Sequence, residues 1–294
     1  MNSPGLSSEK STRIRMLDDL PPLPKVAQLI LHEISDENVD IKKLASVIEM
    51  DPGLVARIVG LANSAFFAPA EKIYSVADAI IKILGLNTVK SLALSILMAS
   101  PFKIDKCKSF RMDAYWYVAM MTATIIRKLI PMMHVPEQEL NPSVAYTSGL
   151  LHNIGLLVLV HCFSDDMEKV FSEESNFVSS KFTEIENNII GMSHAEAGAV
   201  LSRKWHVPEE MAVVIENNQN PDYSGLYEKP TILIGLASKI AYQLYDKQHN
   251  VRIEDKSILK KLSIDSSHIT RVIKDVVAQR EEVEAIAHFM SYVK

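Results

Sequence analysis

Apolar residues recur at three- and four-residue intervals along almost the whole chain, the spacing that gathers them on one face of a helix. Val26, Leu29, Ile30 and Ile34 mark a first such face, and the run Leu20-Pro21-Pro22-Leu23-Pro24 stops any earlier helix. Ile41, Leu44, Ala45 and Ile48 mark a second. Asp51-Pro52 then reads as an N-cap followed by a proline at the first helical position, ahead of the stripe Leu54, Ile58, Leu61 and Ala62. Ser75 with Asp78 three positions on opens a further helix that closes at Gly85, and Asn87 is placed to cap the next, through about Met98.

A polar stretch around residues 101–109 separates this first group from the rest. Beyond it the pattern predicts a long helix over 112–130, stopped by Pro131, and another over 142–163. Residues 164–180 form an acidic, Ser-rich insert. Ser193 and Glu196 make a capping box for a helix ending near Trp205, and Pro208 starts the next. A loop over 219–230 precedes three more helical patterns, over 232–244, 269–277 and 283–293. No alternating strand, hairpin signal or internal repeat is present. The fold class expected is all-α. The organisation expected is a flexible tail over 1–12, an N-terminal helical lobe over 13–100, a second lobe over 101–221, and C-terminal helices over 222–294 that complete the second lobe.

Composition narrows the function. With 48% hydrophobic residues among 294, the chain can build a large core, and 23% charged residues argue against disorder. A net charge of -5 with both signs scattered lacks the basic face of a general nucleic-acid binder. Residues 41–64 have helix–turn–helix spacing, yet Arg57 is the one cation on the second helix, which argues against a DNA reader. The two cysteines, Cys107 and Cys162, have no metal-ligand spacing and read as reduced thiols. Residues 144–163 approach membrane-spanning length, but they carry Tyr146, Ser148, His152, Asn153 and His161, which a lipid-facing helix would have to bury. A cytoplasmic protein with a buried apolar helix is expected.

Candidate chemistry centres on that helix. The stretch LLHNIGLLVLV is apolar except for His152 and Asn153, and buried polar side chains need partners. His152 reads either as a pocket-lining residue or as a core histidine bonded to a neighbouring helix. His194 and Glu196 look like a ligand pair, though the capping position alone accounts for Glu196. Asn63 is suited to end its helix by bonding nearby backbone, Trp205 to anchor helix packing, and Met120, Met121, Met132 and Met133 to fill core space. No phosphate loop, nucleophile elbow or Cys–His pair is evident.

The order of motifs resembles one family. Leu23-Pro24, Asp51-Pro52, Leu61-Ala62-Asn63-Ser64, AIIKILGLNTVKSLAL, AYW, GLLHNIGLLVL and SHAEAGAVLSRKWHVPEEM follow one another as in HDOD proteins, over roughly residues 20–221. The resemblance implies an all-helical bacterial regulatory protein, related to the HD-domain hydrolases but lacking their full catalytic apparatus. HD enzymes hold a divalent metal with a His–Asp pair, an earlier His and a later Asp, and the metal acidifies a bound water. Matched position by position, His152 keeps the imidazole, Asn153 replaces the aspartate, Val118 stands at the earlier histidine and Ser238 at the late aspartate. Asn217, Asn218 and Gln219 stand where many HD enzymes carry further histidines, and Leu156 follows Gly155 where a cyclic-dinucleotide phosphodiesterase would place lysine.

The expectation is therefore a non-catalytic module with no metal and no cofactor, binding a signalling protein or small ligand, with His152, Asn153, His194 and Asn218 as candidate pocket-lining residues. The alternative is a divergent metal-dependent phosphohydrolase acting on a nucleotide or cyclic dinucleotide.

Overall fold

The computed structural model describes residues 20–32, 39–136, 139–247, 251, 253 and 257–292. The tail expected over 1–12, Ile34 and Val293 lie outside the described residues. Among the described residues there is no strand. The fold is all-α, as the periodicity predicts.

The first group holds α1 (Lys25–His32), α2 (Ile41–Ile48) and α3 (Pro52–Ala62). The Asp40 side chain accepts from the backbone N–H groups of Lys42 and Lys43, and Asp51 from that of Leu54 at 3.0 Å. Asn63 ends α3 and does more than cap it. Its amide donates to the Val59 and Ile73 carbonyls at 2.9 and 2.8 Å, and its oxygen accepts from Ile73 N–H at 2.9 Å. Leu29 departs from its expected place in the core. Ala27 and Ile30 are the buried positions of α1, and Leu29, one residue from Ile30 and so about 100° round the helix, is 39% exposed.

Helix α4 (Val76–Asp78) starts at Ser75, whose Oγ accepts from Asp78 N–H at 3.0 Å, and widens into a π-helical turn over Ala79–Leu84. Gly85 closes it at φ 78°, and that positive φ lets the chain enter α5 (Leu86–Ala99) at once. The cap expected from Asn87 is therefore corrected: Gly85 holds the cap position, and Asn87 sits inside the first turn, its buried side-chain oxygen without a partner among the described residues.

Then come α6 (Met112–Leu129), α7 (Pro142–Leu151), α8 (Ile154–Cys162), α9 (Ser164–Glu173) and α10 (Ser180–Ile189). They are followed by α11 (His194–Lys204), α12 (Glu209–Asn217), α13 (Glu228–Tyr245), α14 (Ser257–Lys261), α15 (Ser266–Ala278) and α16 (Arg280–Tyr292). Two expectations change. The helix over 142–163 is two helices, broken at His152-Asn153, and the polar insert after residue 164 contains α9. Pro142–Cys162 is long and apolar enough to cross a membrane, yet 89% of its most apolar window is buried inside the protein.

Helix α6 is the central post. α7, α13, α15 and α16 all pack on it, and Tyr115 to Met121 are all buried along it. The N-terminal helices reach this body through α5, which packs on α1, α3 and α7. Trp205 adds a second link: its indole N–H donates to the Pro21 carbonyl at 3.0 Å, and its ring lies 5.8 Å from that of Phe102. Cys107 and Cys162 form no disulfide.

Candidate functional site

The break at His152-Asn153 creates the polar centre of the protein. His152 keeps helical angles, but Asn153 turns to φ -104°, ψ 16°, and α8 restarts after it. Gly155 is what fixes α8 against α11. A Cβ there would stand 1.7 Å from the His194 carbonyl oxygen and 2.6 Å from Gly198 N. The two helices thus meet backbone to backbone, which brings the start of α11 beside the break.

His152 is 1% exposed. Its Nδ1 lies 2.7 Å from the Gly149 carbonyl, which can only accept, so Nδ1 carries the proton. Nε2 then offers its lone pair to the Ser238 hydroxyl on α13, at 2.8 Å. Burial drives the His152 pKa down to about 4, against the Gly149 bond that favours protonation and with a further push from His194. The imidazole is held neutral at pH 7, with both nitrogens engaged. Asn153, 2% exposed, keeps an amide nitrogen that bonds nothing among the described residues.

His194 sits in a second network that pattern reading did not anticipate. Ser193 and Glu196 form the expected capping box, with Ser193 N–H donating to Glu196 at 2.8 Å and Glu196 N–H to Ser193 Oγ at 3.2 Å. The imidazole instead faces Glu186 on α10, with Nδ1 2.8 Å from Oε2. The same carboxylate accepts the His194 backbone N–H at 3.0 Å. Nε2 receives the Gln219 amide at 2.7 Å, and Gln219 in turn accepts the Thr183 hydroxyl. His194 and Glu186 are both buried, at 1% and 0% exposure. A legible signal did exist: Ser179 caps α10, and Phe182 and Ile185 at helical spacing place Glu186 on the buried side.

Asn218 spends its amide on the Val214 and Ile215 carbonyls at 3.2 and 2.9 Å, closing α12. Its own carbonyl lies where a Cβ on Gly235 would approach to 2.1 Å, so α12 ends against the backbone of α13. His152 and Asn153 therefore sit at the break, His194 belongs to a separate polar network beside it, and Asn218 makes a helix end.

The HDOD domain profile matches residues 20–221. This chain belongs to the HDOD family. Among solved structures similar to it is an HDOD domain protein of unknown function from Geobacter sulfurreducens, at a TM-score of 0.70 and 20% identity over 95% of this chain and 98% of that one. A candidate signal transduction protein from Marinobacter aquaeolei VT8 superimposes at 0.78, with 25% identity over 99% of this chain and 67% of the other. A candidate phosphohydrolase from Shewanella amazonensis SB2B superimposes at 0.73, with 22% identity over 94% and 97%. An uncharacterized protein from Treponema pallidum is 24% identical over 92% of this chain, which spans about half (51%) of its length.

The HD-type metal positions of this HDOD chain can be tested against their donors. His152 and Ser238 do converge, and α6, which carries the fully buried Val118, packs on both α7 and α13. The donors do not fit a divalent cation. Valine offers none, asparagine and serine offer neutral oxygens, and the lone pair of the single imidazole is taken by Ser238. Among the described residues no three His, Cys, Asp or Glu side chains are placed to share a metal ion.

Proposed function

We propose that this HDOD chain is a non-catalytic regulatory module of bacterial signal transduction in the cytoplasm. Binding of a protein partner or small ligand would shift the N-terminal helices relative to the body built on α6. The observation that carries this reading is the His152–Ser238 hydrogen bond. The one imidazole kept from an HD site has become a structural strut, its lone pair committed to a neutral hydroxyl. The similarity to a candidate signal transduction protein, at 25% identity over 99% of this chain, supports the same reading.

A second reading, a divergent metal-dependent phosphohydrolase, is favoured by the names of two similar structures from Shewanella amazonensis, a candidate phosphohydrolase and a candidate metal-dependent phosphohydrolase. Metal analysis of the purified chain and a phosphoester panel with added Mg²⁺ and Mn²⁺ separate the two. The regulatory reading expects no bound stoichiometric metal and no turnover. Stoichiometric metal with turnover abolished in His152→Ala would replace it with the hydrolase reading.

A further inference from the structure

A groove of about 650 Å³ runs between the lead-in to α1, α1 itself and the junction of α11 with α12. Pro22, Leu31 and Pro208 are its partly open apolar sides, and Leu23 and Trp205 lie buried behind them. His32, Lys204 and His206 are exposed at its edge. Among the described residues no carboxylate lines it. Glu209, one residue past Pro208, accepts from Arg203 at 3.1 Å instead. The groove is therefore apolar within and basic at its edge. It suits a chain segment that is apolar along one side and acidic at one end.

The chain carries such a segment next to the groove. Residues 13–19, RIRMLDD, lie outside the described residues and join them at Leu20. In an extended chain alternate side chains share a side, so Ile14, Met16 and Asp18 would face one way and Arg13 and Arg15 the other. The attachment point is fixed. The Pro21 carbonyl accepts the Trp205 indole N–H at 3.0 Å, and Pro22 and Lys204 line the same groove. Asp18 stands three residues before Pro21, about 10 Å of extended chain, which brings its carboxylate within reach of Lys204.

We propose that residues 13–19 fold back into this groove as a strap. Ile14 and Met16 would lie against Leu31 and Pro208, and Asp18 would meet the basic edge at Lys204 and His206. Connectivity favours this occupant over a free molecule of similar chemistry, because a short tether holds the segment at an effective concentration of about 1 mM. The groove is then a surface that the chain covers for itself, open to another molecule only when the strap leaves. The inference rests on the groove and its attached segment, and does not depend on the regulatory reading.

Amide hydrogen exchange of the full chain tests it, with residues 2–10 as the internal reference. The amides of residues 14–18 should exchange at least about tenfold more slowly than unprotected chain. Lys204→Glu should speed them by at least about threefold, and pairing it with Asp18→Lys should restore the protection. A calorimetric titration gives an independent measure. The full chain carrying Ile14→Ser and Met16→Ser, with its groove uncovered, should bind a free peptide of residues 10–20 at one site. Tenfold protection at an effective concentration of about 1 mM corresponds to a Kd of about 0.1 mM for that peptide. The parent chain should take up the peptide about tenfold more weakly. Unprotected exchange of residues 14–18 in the parent overturns the proposal, as does protection unchanged in Lys204→Glu. So does a peptide that fails to bind the double variant up to about 1 mM, or that binds parent and variant equally. Protection lost on dilution from about 100 μM to about 1 μM also overturns it, and gives the groove to the segment of a second copy of the chain.

Discussion

At the scale of the residue, burial decides how His152 titrates. Its folded pKa of about 4 lies below the ordinary 6.5, so the unfolded chain takes up a proton that the native state refuses. The resulting stability is complete above pH 6.5 and is lost as pH falls from about 6.5 to about 4, roughly 3 kcal/mol in all. Urea unfolding across that range should show this slope, and His152→Leu combined with Ser238→Ala should flatten it, because both partners leave together. A slope unchanged in the double variant would clear His152 of the effect. Glu186 makes a separate prediction. Glu186→Ala leaves the His194 ring N–H and backbone N–H without their acceptor inside the core, and the expected loss is about 3 kcal/mol in unfolding free energy. A loss under about 1 kcal/mol would mean that water replaces the carboxylate. The sequence made His194 visible but paired it in prospect with Glu196, its near neighbour. The true partner lies eight residues back, on a helix whose polar surroundings hid it.

At the level of elements, what could be read in advance was local. Asp51, Ser75 and Ser193 cap the helices that their spacing announces, because a cap is a contact within three residues. The break between α7 and α8 was illegible for the opposite reason. Both flanks are equally apolar, and the turn is set by contacts with α11 and α13. The π-helical turn before Gly85 likewise has no sequence signature of its own. The close approach of α8 to α11 makes Gly155 the sharpest test. Gly155→Ala should cost about 3 kcal/mol or more in urea unfolding, since its methyl would occupy the place of the His194 carbonyl. The same change should also weaken the His152 acid dependence if the helices part. A variant as stable as the parent would show that the two backbones are not in contact.

Across the whole molecule, α6 gathers helices that follow it at very different distances along the chain, α7, α13, α15 and α16. Amides that open only when the entire body unfolds are expected along its buried length, residues 114–126, while the amphipathic α9 should exchange much sooner. Hydrogen exchange read by mass spectrometry decides this, and equal rates in the two helices would deny α6 its central place. The all-α class and the long central helix were apparent from periodicity alone. Which helices grip it was not, because pairing between distant segments leaves no local trace.

The Trp205 tether has a practical consequence. The chain has two tryptophans, and they occupy different surroundings. Trp116 lies in the core of α6, while Trp205 hangs between the Pro21 carbonyl and the Phe102 ring. With Trp116 replaced by phenylalanine, emission from Trp205 becomes a built-in optical gauge of whether the Pro-rich lead-in is seated or detached. It needs no added dye and can follow every titration described above in real time.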